Sequence, residues 1–224
     1  MNKQIGVITI GQAPRTDLIP EIETFFPPDV EFIQRGVLDN FDRNDLEQIK
    51  PKTGQSTLVS RLKDGTSVTL AKEKTLPIIQ QIIDDFNLKQ VKLIILACTG
   101  EFKLFQSHIP IIYPDYLLNH VTQGIFREKG QIGVIVPLAK QFEVIEKKWD
   151  SAGFDAICVE SSPYVFDELS FIKAAKELEE YNINTIILDC IGYTEKMKDI
   201  VKKYSSKTVL LSRNIVFKTA SELY

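Results

Sequence analysis

The chain has 224 residues, 44% of them hydrophobic and 25% charged, which is enough apolar matter to bury a core and too much for a disordered chain. Its formal net charge of -3 provides no basic field for nucleic acid, and no apolar run reaches the length of a membrane span. The opening MNKQIGVITIGQAPR lacks the apolar stretch and cleavage site of a secretory signal, so a soluble, cytoplasmic protein is expected.

IGVITI (5–10) is the first predicted strand, followed by the loop GQAPR and a helix over 17–26 with Leu18, Ile22 and Phe25 at helical spacing. VEFIQRGVL (30–38) reads as a second strand. In STLVSRLKDGTSVTL two alternating segments flank Asp64-Gly65, which predicts a hairpin with a type I′ turn. A helix over 73–87 leads to VKLIILAC (91–98), a wholly apolar strand suited to a parallel sheet covered on both faces. IPIIYP (109–114) predicts a short strand and 115–130 a helix ending at Gly130.

The alternation continues with strands at 132–137, 155–160, 185–190 and 208–212. Helices over 139–153, 166–182 and 194–204 and a closing helix separate or follow them. Such alternation implies βαβ units. QIGVI occurs at 4–8 and again at 131–135, and IIL-x-C-x-G at 94–100 and 186–192, in the same order. The longer first spacing leaves room for the hairpin region around 42–72. The fold class predicted is therefore α/β, with two pseudo-symmetric Rossmann-like lobes, parallel sheets and a β-hairpin insertion in the first. The expected domains are 1–114 and 115–224, with the last helix a candidate to pack back on the first lobe.

Cysteine carries the chemistry. Three cysteines without an export signal point to free thiols, and His108 and His120 have no cysteine near them, so no metal site is expected. Cys98 and Cys190 each end a strand, where open parallel sheets bind ligands. In two facing lobes, a thiolate on one side of a ligand would remove a proton next to a carboxylate. A thiol on the other side would return one. Cys158 has no counterpart in the first lobe and is read as core.

The segments IGQAPRTD (10–17), GVLD (36–39), LVSRLKDG (58–65) and CTGEF (98–102) carry a resemblance, as do IGVIVP with Gln141, Lys148-Trp149, SSPY (161–164), DCIGY (189–193) and LLSR (210–213). Together they span nearly the whole chain and resemble the AroM family, a branch of the aspartate/glutamate racemase superfamily that includes amino-acid and hydantoin racemases, maleate isomerases and arylmalonate decarboxylases. The resemblance implies a cofactor-independent racemase- or isomerase-like enzyme acting on a small carboxylate or amino-acid derivative. It also allows a homo-oligomer. The rival is a non-catalytic small-molecule binding or regulatory protein that retains the cleft.

Arg15, in the loop after the first strand, is the first choice for holding a carboxylate in a fork, and Arg213 the second. Gln12 stands in the same loop as Arg15. Thr99 and Gly100, with Gly192 and Tyr193, are placed at the heads of helices after the cysteine strands, where backbone N–H groups would meet an anion. Gln141, Ser162 and Tyr164 are candidate hydrogen-bond donors to the ligand. Arg61 is expected at the surface, Trp149 in the core, and Asp189 on a loop backbone.

Overall fold

The apolar runs become the strands of two all-parallel sheets in the computed structural model, which describes residues 3–127 and 130–224. In chain order the elements begin with β1 (Gln4–Thr9), α1 (Ile19–Ile22) extended by one tighter turn, β2 (Glu31–Gly36) and the short α2 (Leu46–Ile49). The hairpin β3 (Thr57–Arg61) and β4 (Ser67–Ala71) runs straight into α3 (Lys72–Lys89), which leads to β5 (Leu93–Ala97), β6 (Ile111–Ile112) and α4 (Pro114–Ile125). The second half holds β7 (Gln131–Val136), α5 (Phe142–Ser151), β8 (Asp155–Glu160), α6 (Glu168–Glu179), β9 (Thr185–Leu188), α7 (Glu195–Tyr204), β10 (Thr208–Leu211) and α8 (Ser212–Glu222).

Contacts divide the chain into two units, one of residues 1–114 with 216–224 and one of 115–215. The first sheet has the order β2-β1-β5-β6 and the second β8-β7-β9-β10, the same topology with no closed barrel. Register makes the repeat concrete. Gly6 lies opposite Ile94 in the first sheet, and Gly133 lies opposite Ile186 in the second. The two QIGVI strands thus meet the two IIL strands at matching positions, and Cys98 and Cys190 each follow four residues on.

The glycines are explained by packing. A Cβ on Gly6 would sit 2.7 Å from the ring of Phe86 on α3, and one on Gly133 would sit 2.8 Å from Ile183 and 3.0 Å from Leu178 on α6. Each strand carries glycine where the apolar stripe of a helix presses closest. On α3 that stripe is Ile79, Ile82, Ile83 and Phe86, and on α6 it is Phe171, Ala174, Ala175 and Leu178. Gly6→Ala is expected to destabilise the chain by about 1–3 kcal/mol through overpacking. A lower urea midpoint with unchanged slope would show it.

Local capping follows the sequence. The Asp167 carboxylate accepts from Leu169 N–H at the head of α6, and Thr194 Oγ1 accepts from Met197 N–H at the head of α7. The hairpin departs from expectation. Gly65 N–H donates to Leu62 O, and Gly65 has φ +88° while Asp64 does not take a positive φ. A type I′ turn needs both, so the connection is a type I turn closed by a left-handed glycine. The expected helix over 115–130 ends at Ile125, and its stretch through Glu128 and Lys129 lies outside the described residues. No helix among the described residues is long and apolar enough to cross a membrane.

Candidate active site

Both cysteine loops build the same local device. Gly100 N–H donates to Cys98 Sγ at 3.4 Å, and Gly192 N–H donates to Cys190 Sγ at 3.4 Å. Both cysteines are partly exposed and outside any disulfide. Close packing explains the glycines again. A Cβ on Gly100 would lie 2.8 Å from Leu58, and one on Gly192 would lie 2.9 Å from the Tyr164 ring and 3.0 Å from Pro163. A hydrogen bond donated to sulfur favours the thiolate over the thiol.

Around Cys190 the second unit is closely fitted. The Tyr164 hydroxyl lies 3.3 Å from Cys190 Sγ, and Ser162 Oγ accepts from Tyr164 N–H at 3.2 Å, fixing the turn that carries the tyrosine. Tyr193 is fully buried and donates to Ser161 O at 2.9 Å. Burial pushes its phenol well above the ordinary value, with the neighbouring Cys190 adding to the effect. Arg213, also fully buried, donates from Nε to Ile191 O at 3.0 Å and from Nη2 to Gly192 O at 3.3 Å. Ser162, Tyr193 and Arg213 therefore shape the loop. Tyr164 is the predicted donor that reaches the thiol.

Beneath the loop lies a buried ion pair. Lys148 Nζ is 2.5 Å from Asp189 Oδ2, and Trp149 Nε1 donates to the same oxygen at 2.9 Å. The Lys148 and Asp189 side chains are 1% and 0% exposed. Asp189 thus pairs with a lysine and an indole N–H. Lys148 was missed, although Ile145, Lys148 and Trp149 form the buried stripe of α5, and a lysine in that stripe needs a buried partner.

Cys158 is partly exposed and lines a cavity of about 580 Å³ with Phe142, Glu160 and Ser161. It packs against the core formed by Val134, Ile145 and Trp149 while its edge faces this cavity. Burial, with Glu146 and Asp189 adding, pushes its thiol up to about 12, so it stays neutral.

In the first unit the loop after β1 is tied down from several sides. Gln12 donates to Leu38 O at 3.2 Å and Phe41 O at 3.4 Å, and its Oε1 accepts from Lys63 N–H at 3.0 Å. Arg15 is 2% exposed and grips Asp17 with two hydrogen bonds of 2.8 and 2.7 Å, while Nη1 donates to Thr9 Oγ1 at 3.2 Å. Arg61, expected at the surface, is 28% exposed and lies 3.5 Å from the same carboxylate. The backbone also closes on the hairpin: Gln12 N–H donates to Arg61 O, and a Cβ on Gly11 would lie 2.0 Å from that oxygen.

Burial alone would raise the Asp17 carboxyl, but the hydrogen bond and charge of Arg15, with Arg61, hold it below the ordinary 3.8. A lowered folded value means that Asp17 stabilises the fold above its unfolded value, and that this contribution is lost as pH falls through the folded value. The gap in urea midpoint between the native chain and Asp17→Asn is expected to narrow below about pH 4. A constant gap would contradict the assignment.

No helix follows Cys98. Residues 99–110 form an irregular loop. Gln80 and Gln106 exchange hydrogen bonds, Asn87 Oδ1 accepts from Ser107 and His108, and Tyr113 Oη accepts from Phe105 N–H. The helix-head role expected for Thr99 and Gly100 is therefore absent. After Cys190 the first helical residue is Glu195, beyond Gly192 and Tyr193. Gln141, at the head of α5, keeps a buried Oε1 with no hydrogen-bond partner among the described residues. A buried acceptor without a partner marks a place for water or ligand. Among the described residues no group of three or more His, Cys, Asp or Glu side chains could hold a metal ion.

The family described as AroM protein matches residues 5–224. No curated protein matches the chain by sequence. Among solved structures, a doubly substituted arylmalonate decarboxylase in liganded form is similar at TM-score 0.66 and 13% identity, over 98% of this chain and 92% of that one. A glutamate racemase from Bacillus anthracis is similar at TM-score 0.59 and 17% identity, over 98% and 80%. A maleate isomerase from Pseudomonas putida is similar at TM-score 0.62 and 9% identity, over 96% and 89%. At these identities the likeness is one of fold.

Proposed function

The chain belongs to the AroM family, and from that premise we propose that it is a racemase- or isomerase-like enzyme of a small carboxylate or amino-acid derivative. One observation carries the reading: the Cys-x-Gly device, with its N–H on sulfur, stands at matching register in both units. A packing cysteine has no need of a donor aimed at its sulfur, whereas a proton-transfer thiol does.

In the proposed reaction both thiols act on one bound substrate. A thiolate accepts the proton from the carbon next to the carboxylate and becomes a thiol, leaving an enolate-like anion. The other thiol delivers its proton to the opposite face of that carbon and becomes the thiolate. Protons and charge balance without a redox step or a cofactor. Tyr164 steadies Cys190 from its hydroxyl, and Gln141 is the first choice for a hydrogen bond to the substrate. Arg15 and Arg213 serve the framework in this account. That favours a substrate with a donor group, such as an amine or amide N–H, for the Gln141 Oε1 to accept from.

The rival, a binding protein without turnover, draws support from the same commitment of both arginines. Proton NMR in D2O with the native chain and a panel of small carboxylates, amino acids and hydantoins separates the two. Loss of the α-proton signal from one substrate class is expected, and the same spectra register decarboxylation or cis–trans isomerisation. Saturation transfer to a ligand with no chemical change in any sample would replace the enzyme reading with the binding one.

A further inference from the structure

Arg213, the peptide between Ile191 and Gly192, and the sulfur of Cys190 form one chain of hydrogen bonds. The guanidinium donates from Nε to Ile191 O at 3.0 Å. In a trans peptide the N–H points opposite to the carbonyl. The N–H sharing that peptide belongs to Gly192, and it donates to Cys190 Sγ at 3.4 Å. A charged donor on the carbonyl polarises the peptide and strengthens the N–H as a donor. Arginine keeps its charge at every working pH.

Other polar and charged groups stand near the thiol. The Tyr164 hydroxyl lies within hydrogen-bond reach of the sulfur, and Tyr193 is held neutral by burial. Asp189 opposes a thiolate next to it, but Lys148 sits on that carboxylate. Glu160 acts on the adjoining Tyr193.

We infer that Arg213 is a positioning residue that holds Cys190 as a thiolate by acting through the Ile191–Gly192 peptide. This deepens the proposed function by naming what activates one of its two thiols, and its catalytic meaning rests on that reading. The relay itself does not, because it concerns the free protein.

The pH dependence of alkylation by iodoacetamide, followed at each cysteine by peptide mass mapping, tests it. In the native chain the Cys190 profile is expected to have its midpoint at least about one pH unit below the ordinary thiol value near 8.5. Arg213→Gln is expected to move that midpoint up by about one unit, roughly tenfold less alkylation at neutral pH. The Cys98 profile and the far-UV circular dichroism should stay unchanged. Arg213→Lys, which keeps charge but loses the fork, should fall between.

A native midpoint at or above the ordinary value overturns the relay whether or not the variants fold. So does an Arg213→Gln chain that folds and keeps the native profile. An ordinary midpoint together with α-proton exchange overturns the relay and leaves the proposed function standing. A low midpoint that depends on Arg213, without exchange on any substrate, supports the relay and overturns the function.

Discussion

Lys148→Met is expected to cost about 3–5 kcal/mol of unfolding free energy, because it strands the buried Asp189 carboxylate without its cation. The loss of a hydrogen bond is the smaller part. Lys148 Nζ and Trp149 Nε1 both point at Asp189 Oδ2, and removing the ammonium leaves the indole N–H to face a charge out of water. The chain must then carry an uncompensated charge out of water. Replacing both partners removes that penalty, so Lys148→Met with Asp189→Leu should recover most of the stability. Urea unfolding of the native chain and both variants measures this. A single variant within about 1 kcal/mol of native, or a double variant no better than the single, would refute the account.

Cys98→Ala and Cys190→Ala are each expected to lower inversion of a chiral substrate by about 10²–10⁴-fold or more. The two variants should differ in what remains. In a two-thiol reaction each sulfur serves one face of the carbon, so each variant keeps one proton-transfer group. Solvent exchange of the α-proton should then persist for one enantiomer in one variant and for the other enantiomer in the other. Measuring exchange separately for each pure enantiomer reads this directly. Inversion retained in either variant would refute the pair. Loss of exchange for both enantiomers in both variants would instead point to one joint site in which neither thiol acts alone. The Gly100 and Gly192 N–H donors survive both substitutions, so the loss reports on the sulfur.

The fold was legible because the inner strands of both sheets are buried on both faces. Strands such as LIILA (93–97) are apolar at every position, and the repeated QIGVI and IIL strings fall at matching register. The turn at Gly65 was harder, since Asp-Gly serves more than one hairpin geometry and the loop length decides between them. The short device around each thiol was readable as Cys-x-Gly, where the glycine leaves room for the neighbouring side chain. The long side chains were not. A strand-end position for Arg15 or Arg213 does not say whether the guanidinium turns outward or folds back, and both fold back onto the chain. Ser162 likewise spends its hydroxyl on its own turn. Lys148 left a usable mark, a charge inside the apolar stripe of α5, but its partner lies 41 residues further along the chain.

The first unit is made of two separated pieces of chain. Residues 216–224 belong with 1–114, and in that unit Lys92 Nζ donates to Tyr224 O while Lys218 lies 5.2 Å from the centre of the Phe25 ring. During synthesis residues 216–224 are made after the whole of 115–215. The contiguous second unit, 115–215, has all its residues available before the first has its own. The usual N-to-C order of domain folding is thereby inverted for completion: the half that is translated first is the half that finishes last.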